Sequence, residues 1–224
     1  MRQAAEYRRQ SEDRFPLTLR DLEPVLTDFV SEAGIARGHY FHQDLWAARR
    51  VFAEHPRQHV DVGSRIDGFV AHVLTFMPVT VVDIRGLEST VEGLTFVRGD
   101  MCRLDFFTSG SVESVSCLHA IEHVGLGRYG DPVDARGWHV ALRELARVLA
   151  PGGRLYLGTP IGRERLCFNS QRVFSPVTII DVLSDLKLAA FSAVGDDDRL
   201  VADAVPAAFA EARNACGLFE FTKP

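Results

Sequence analysis

From His59 onward the chain alternates short β-branched apolar runs with helix-patterned segments, and this alternation constrains the fold more than any other feature. His59-Val60-Asp61-Val62-Gly63, Thr80-Val81-Val82-Asp83-Ile84, Leu94-Thr95-Phe96-Val97, Ser114-Val115-Ser116-Cys117-Leu118 and Arg154-Leu155-Tyr156-Leu157-Gly158 read as strands. Ile66 to Phe76 is apolar at helical spacing until Pro78 breaks it. Trp138, Ala141, Leu142, Leu145, Val148 and Leu149 mark one face of the clearest helix, which Pro151-Gly152-Gly153 stops. Ser175 and Pro176 open another helix, as cap and first helical position. Leu188 to Val194 and Leu218 to Phe221 supply two last strands, with a helix from Val205 to Ala215 between them. Such alternation predicts an α/β fold, a doubly wound, mostly parallel seven-stranded sheet whose apolar strands are covered on both faces. Upstream, Leu22, Val25, Leu26, Phe29 and Val30 recur at helical spacing after Asp21, a plausible cap. A second helix runs from Asp44 through Leu45, Ala48, Val51 and Phe52 to Pro56. Residues 1–57 therefore read as an N-terminal helical extension and residues 58–224 as the α/β domain.

Composition narrows the function. The chain has 224 residues, 25 Lys+Arg, 30 Asp+Glu and a net charge of -5, which suits a globular domain and argues against nucleic acid as a partner. No apolar run approaches the roughly 20 residues that span a bilayer, and the polar stretch Met1 to Arg14 lacks the apolar core of a signal peptide. Cys102, Cys117, Cys167 and Cys216 form no CxxC pair. Reduced thiols in a cytoplasmic protein are the simplest reading. A homo-oligomer stays open.

In doubly wound sheets ligands sit beyond the carboxyl ends of the strands. Gly63 after the first strand lets the backbone turn tightly and approach a ligand, or serves only as a turn. Asp83 lies 20 residues after Gly63, the spacing of a carboxylate that accepts two hydrogen bonds from a ribose diol. Asp100, followed by Met101 and Cys102, suits an adenine amino group and ring, and suits a helix cap equally.

The run from His59 to Pro160 resembles the class I, Rossmann-like S-adenosylmethionine-dependent methyltransferases. The matching pieces are Val60-Asp61-Val62-Gly63-Ser64, Val82-Asp83, Gly99-Asp100, Leu118 to Val124 and, most specifically, Leu145-Ala146-Arg147-Val148-Leu149-Ala150-Pro151-Gly152-Gly153-Arg154-Leu155. The resemblance implies S-adenosylmethionine as cofactor, with Asp61, Gly63 and Ser64 near its methionine part, Asp83 on the ribose and Asp100 on the adenine. Arg65, Ile84, Met101 and His119 complete the expected cofactor-binding set. The glycine motif departs from the family's alternate glycines: after Gly63 come Arg65 and Asp67, and the next glycine is Gly68. Gly38 to Trp46 and Glu122 to Asp131 look like a poorly characterised branch of the family.

His119-Ala120-Ile121-Glu122-His123 also reads as HxxEH, a zinc-hydrolase pattern. Zinc would need both histidines on one helix face, whereas His119 directly follows a strand. Under the methyltransferase reading this segment faces cofactor and acceptor. A hydroxyl acceptor needs a base, so His123 is the expected proton acceptor, with Glu122 orienting it or binding substrate. Gly125 to Gly137 reads as a substrate lid carrying Arg128 and Tyr129, and its Asp131 and Asp134 suit Mg²⁺. Tyr40 and His42 ahead of the first strand, and Asn169 and Arg172 after the fifth, are the remaining acceptor candidates. For Trp46 the core is the better reading. The expected activity is methylation of a small polar acceptor, a sugar or natural-product intermediate, at oxygen. The alternatives are a non-catalytic nucleotide- or partner-binding protein, an NAD(P) oxidoreductase and a zinc hydrolase.

Overall fold

A computed structural model describes residues 2–11 and 14–224; Met1, Glu12 and Asp13 of the polar N-terminal stretch lie outside the described residues. Four strands alternate with loops and helices up to the fifth: β1 (His59–Val62), β2 (Val79–Asp83), β3 (Leu94–Arg98), β4 (Val112–Leu118) and β5 (Leu149–Ile161). They pair in parallel in the order β3-β2-β1-β4-β5. The chain then makes a small antiparallel sheet from β6 (Arg165–Cys167) and β7 (Gln171–Val173) before it returns through β8 (Lys187–Val194), β9 (Leu200–Val201) and β10 (Ala215–Thr222). β10 inserts between β5 and β8, antiparallel to both. The seven expected strands are present, and the two-residue β9 at the edge brings the sheet to eight. Strand order reverses at β1, whose neighbours are β2 and β4, so the carboxyl ends of β1, β2 and β4 border the crevice where such sheets bind ligands.

Helices cover both faces. On one, α2 (His39–Glu54) and the turn Ile66–Val70 that continues into α3 (Ala71–Val73) bury Trp46, Ala47, Val51, Phe69 and Val73 against Val79, Val81, Tyr156 and Leu218. On the other, α4 (Gly137–Val148) and α5 (Pro176–Val182) set Leu142, Leu145 and Ile179 on Val60, Val62, Val115, Leu155 and Leu157. Each large aliphatic side chain withdrawn this way contributes about 1.5–3 kcal/mol of transfer free energy. Trp46 joins this core, edge-on to Tyr156 at 6.3 Å. The chain divides between Ile35 and Ala36 into two units, so α2 belongs to the unit that contains the sheet.

The local departures from the sequence reading have identifiable causes. No helix forms over Leu22 to Val30; a 3₁₀ turn at Leu19–Asp21 and another at Asp28–Val30 flank extended chain. Asp21 does not cap a following helix: its carboxylate turns back to the Thr18 N–H and hydroxyl at 2.8 and 2.7 Å. Pro24 removes a donor and disfavours helical backbone at Glu23. Leu26, Phe29 and Val30 are left exposed. The first helix is instead α1 (Arg2–Gln10). α2 begins five residues earlier than expected, at the left-handed Gly38, so Tyr40, His42 and Gln43 lie on its first turns. Between β9 and β10 only a 3₁₀ turn, Pro206–Phe209, replaces the expected helix, and Ala215 already belongs to β10. There the Arg213 and Asn214 N–H groups donate to Asp196, which pulls the chain straight into the strand. Among the described residues no helix is long and apolar enough to cross a membrane.

Candidate active site

A cavity of about 360 Å³ opens at the carboxyl ends of β1, β2 and β3, walled on its far side by the segment after β4. Its floor is Gly63. At φ 79° this residue occupies the left-handed region, and its N–H donates to Val82 O at 2.9 Å. A Cβ there would meet Ala120 Cβ and Met101 Cε, each at 2.9 Å, so only glycine fits. Where the next glycines of the family pattern would stand, Arg65 and Asp67 form an exposed ion pair at 2.6 Å.

The other expected cofactor residues distribute between the cavity wall and its foundations. Arg65, Asp83, Ile84, Asp100, Met101 and His119 line the cavity. Asp61 and Ser64 lie beneath it, both buried. The Asp61 carboxylate accepts from the Ser64 and Ser116 hydroxyls, each at 2.5 Å, and from the Ser64 N–H at 3.1 Å. The Ser64 hydroxyl in turn accepts from Leu118 N, tying β1 to β4. His59 continues the network to the Ser114 and Ser116 hydroxyls at 2.7 and 2.9 Å. Burial pushes the Asp61 carboxyl up to about 6 and the His59 imidazole down to about 3. His59 and its serines were missed from sequence, since a strand histidine next to an apolar run carries no local sign of a partner.

Asp83 and Asp100 present carboxylates on adjacent strand tips. Asp100 spends one oxygen on Cys102 N at 2.8 Å, the cap contact expected of it, while its residue still lines the cavity. Arg85 holds Asp83 through both oxygens and stacks its guanidinium over the Tyr129 ring at 4.5 Å. Arg85 was not singled out from sequence, because pairing two residues along a chain with a carboxylate is common on surfaces.

The wall after β4 carries the expected catalytic pair. His119 has φ 50° directly after the strand, and Ile121–His123 forms a 3₁₀ turn, so the two histidines of HxxEH share no helix face. His123 lines the cavity and is largely buried. Its Nδ1 is 2.7 Å from the Ser170 carbonyl, which only accepts, so Nδ1 carries the proton and Nε2 keeps the lone pair. Arg128 Nη1, 3.3 Å from Nδ1, also donates to Ser170 O, at 2.8 Å; two donors do not bond each other. Burial pushes the His123 imidazole down to about 4 and the fully buried Glu122 carboxyl up to about 8. Glu122 Oε2 accepts from the Thr159 hydroxyl at 3.3 Å, while Oε1 has no hydrogen-bond partner and lies 3.7 Å from His123 Nε2.

Tyr40, Arg128 and Tyr129 line the cavity. Tyr129 packs edge-on to His123 at 5.5 Å, and Tyr40 lies 4.8 Å from the His119 ring. His42 does not reach the cavity; two residues along α2 from Tyr40, it points elsewhere and packs on Phe41. Asn169 is exposed on the β6–β7 turn. Arg172 instead braces the wall from behind, donating to Val124 O at 2.6 Å. The Asp131 carboxylate accepts from the N–H groups of Gly125, Gly127 and Tyr129, and Asp134 from that of Arg136, so the two acids expected to suit Mg²⁺ organise their own loop.

Several solved structures share this architecture. The N-methyltransferase NodS from Bradyrhizobium japonicum WM9, in complex with S-adenosyl-L-homocysteine, superposes with a TM-score of 0.57 at 14% identity, over 83% of this chain and 88% of that one. The fold is that of the class I S-adenosylmethionine-dependent methyltransferases. The 1,6-didemethyltoxoflavin N1-methyltransferase of Burkholderia thailandensis, with bound 1,6-didemethyltoxoflavin and S-adenosylhomocysteine, gives a TM-score of 0.58 at 16% identity, over 81% of this chain and 78% of that one. The [4+2]-cyclase SpnF gives 0.62 at 12% identity over 86% of each chain, so this fold also hosts other chemistry. In sequence, the family described as Caenorhabditis protein of unknown function, DUF268, matches residues 103–201. No curated protein sequence matches the chain.

Proposed function

We propose that the chain is an S-adenosylmethionine-dependent methyltransferase that acts on a small polar acceptor, a sugar or natural-product intermediate, at oxygen. One observation carries the reading: Gly63, Asp83 and Asp100, from the tips of three adjacent parallel strands, converge on a single cavity. The residues fit an adenosyl group. Gly63 leaves backbone open where the aminoacyl end would pass, Asp83 offers two oxygens to a ribose diol, and Asp100 with Ile84 and Met101 offers an acceptor and apolar cover to the adenine. Asp61 and Ser64 hold the β1 turn in shape from below. Structural neighbours crystallised with S-adenosylhomocysteine support this choice of cofactor.

S-adenosylmethionine supplies an electrophilic methyl group on its sulfonium. The chain aligns the acceptor with that methyl and keeps water out. Tyr40, Arg128 and Tyr129 wall the acceptor side. His123, neutral at physiological pH, presents the Nε2 lone pair and takes the acceptor's hydroxyl proton. Glu122, fully buried with Oε1 3.7 Å from that nitrogen, packs against the imidazole as a positioning residue.

Thermal denaturation with candidate ligands tests the reading, since a ligand that binds the native state raises the melting temperature. S-adenosylhomocysteine stabilises the protein under this proposal and NAD(P) does not. The reverse pattern would make the chain an oxidoreductase, and stabilisation without acceptor-dependent methyl transfer would make it a binding protein.

A further inference from the structure

At the edge of the cavity, three metal-ligating side chains from distant parts of the sequence meet; His119 also lines the cavity, while His39 and Cys216 lie outside its lining. His39 is the first residue of α2, His119 follows β4 and Cys216 is the second residue of β10. Their ligating atoms all lie within 4.8 Å of one another, and among the described residues they form the group of His, Cys, Asp and Glu side chains close enough to share an ion. We propose that His39, His119 and Cys216 form a binding site for a zinc-class divalent cation.

The geometry fits such an ion. Zn–N bonds of about 2.0–2.1 Å and Zn–S bonds of about 2.3 Å in a tetrahedron set donor atoms roughly 3.3–3.6 Å apart. Cys216 Sγ already lies 3.9 Å from His119 Nδ1, so that pair closes by a few tenths of an ångström. Gln43 Oε1, 2.5 Å from His119 Nδ1 and 3.9 Å from Sγ, brings a fourth donor within reach. Two imidazoles and a thiolate favour zinc over magnesium or calcium, which prefer all-oxygen sites.

Cys216 is buried, with His39 and His119 partly buried beside it. Asp196 and Asp198 add negative potential beside His39. On binding, the Cys216 thiol loses its proton to solvent and becomes the thiolate ligand. The His119 Nδ1 proton shared with Gln43 moves to the other ring nitrogen. The site differs from HxxEH, because it uses neither Glu122 nor His123 and draws its ligands from three elements. Its zinc readout does not depend on the methyltransferase reading, although His119 is shared with that cavity.

The test is zinc retention by the full-length protein, expressed with and then incubated in zinc, passed through gel filtration and measured by mass spectrometry without any nucleoside. The proposal expects about one zinc per chain, lost in His39→Ala and in Cys216→Ala. Cobalt substitution adds a sulfur-to-cobalt charge-transfer band in the native sequence that Cys216→Ala abolishes. Circular dichroism and a cooperative ligand-free thermal melt show that each variant is folded. Protein that retains no zinc, or folded variants that retain as much as the native chain, would overturn the site. Neither result bears on adenosyl binding, which the melting shift reads separately.

Discussion

Arg85 grips Asp83 with both arms, its Nε 2.9 Å from Oδ1 and its Nη2 2.6 Å from Oδ2, while the opposite side of its guanidinium stacks on Tyr129. The carboxylate proposed for the ribose diol is therefore already engaged by a neighbour two residues along. Under the proposed function a ribose displaces that guanidinium or shares the carboxylate's remaining lone pairs with it. The pair is partly exposed, with side-chain accessibilities of 50% and 13%, so the exchange costs little. Hydrogen bonds to a charged acceptor are worth about 1.5–3 kcal/mol each. Asp83→Ala should thus weaken S-adenosylhomocysteine binding on the order of 100-fold or more, whereas Arg85→Ala should leave it within a few-fold or improve it. Isothermal titration of both variants checks the asymmetry; equal losses would show that Arg85 binds ligand itself.

Gly63→Ala meets two obstacles at once. Left-handed backbone costs an L-residue about 1–2 kcal/mol, and the new methyl would stand 2.9 Å from both Ala120 Cβ and Met101 Cε. The variant should melt several degrees lower and lose its response to S-adenosylhomocysteine. A thermal melt with and without ligand reads both effects.

Glu122 makes a pH prediction with a definite sign. Burial raises its folded-state value from 4.5 to about 8, so the folded chain holds this proton more tightly than the unfolded chain. Its favourable contribution is complete below pH 4.5 and disappears as pH rises through about 8, a difference on the order of 5 kcal/mol. Glu122→Gln, neutral at every pH, should melt close to the native chain at pH 5 and above it at pH 8. A difference independent of pH would show that the buried carboxyl does not titrate in this range.

The loop after the 3₁₀ turn hangs on one side chain. Asp131 collects the N–H groups of Gly125, Gly127 and Tyr129. Asp131→Ala leaves three donors without that acceptor and should raise deuterium uptake across residues 125–131. The strands of the sheet should stay protected. Uniform uptake in both segments would mean that the loop draws its order from elsewhere.

Much of this arrangement is written in local sequence. The β-branched runs ending at Gly63, Asp83 and Gly99 announce their strands, and the α4 stripe with Pro151-Gly152-Gly153 marks the turn into β5, where Gly152 is left-handed at φ 73°. Residues that lie at strand tips could be placed because the tips of a doubly wound sheet all face one crevice. Long-range partners could not. The brace of Asp61 by Ser116, the pairing of His123 with the Ser170 carbonyl and the meeting of His39 with Cys216 join residues 55, 47 and 177 positions apart. The helix expected over Leu22 to Val30 failed for the opposite reason: helical spacing is present, but Pro24 and the Asp21–Thr18 turn override it.

Isothermal titration of S-adenosylhomocysteine into the native chain, with Asp83→Ala and Asp100→Ala beside it, tests the adenosyl site most directly. The arrangement of strand tips predicts saturable binding at one site per chain, strongly weakened by either substitution. Heats no larger than dilution in the native protein, or variants that bind as well as it does, would contradict it.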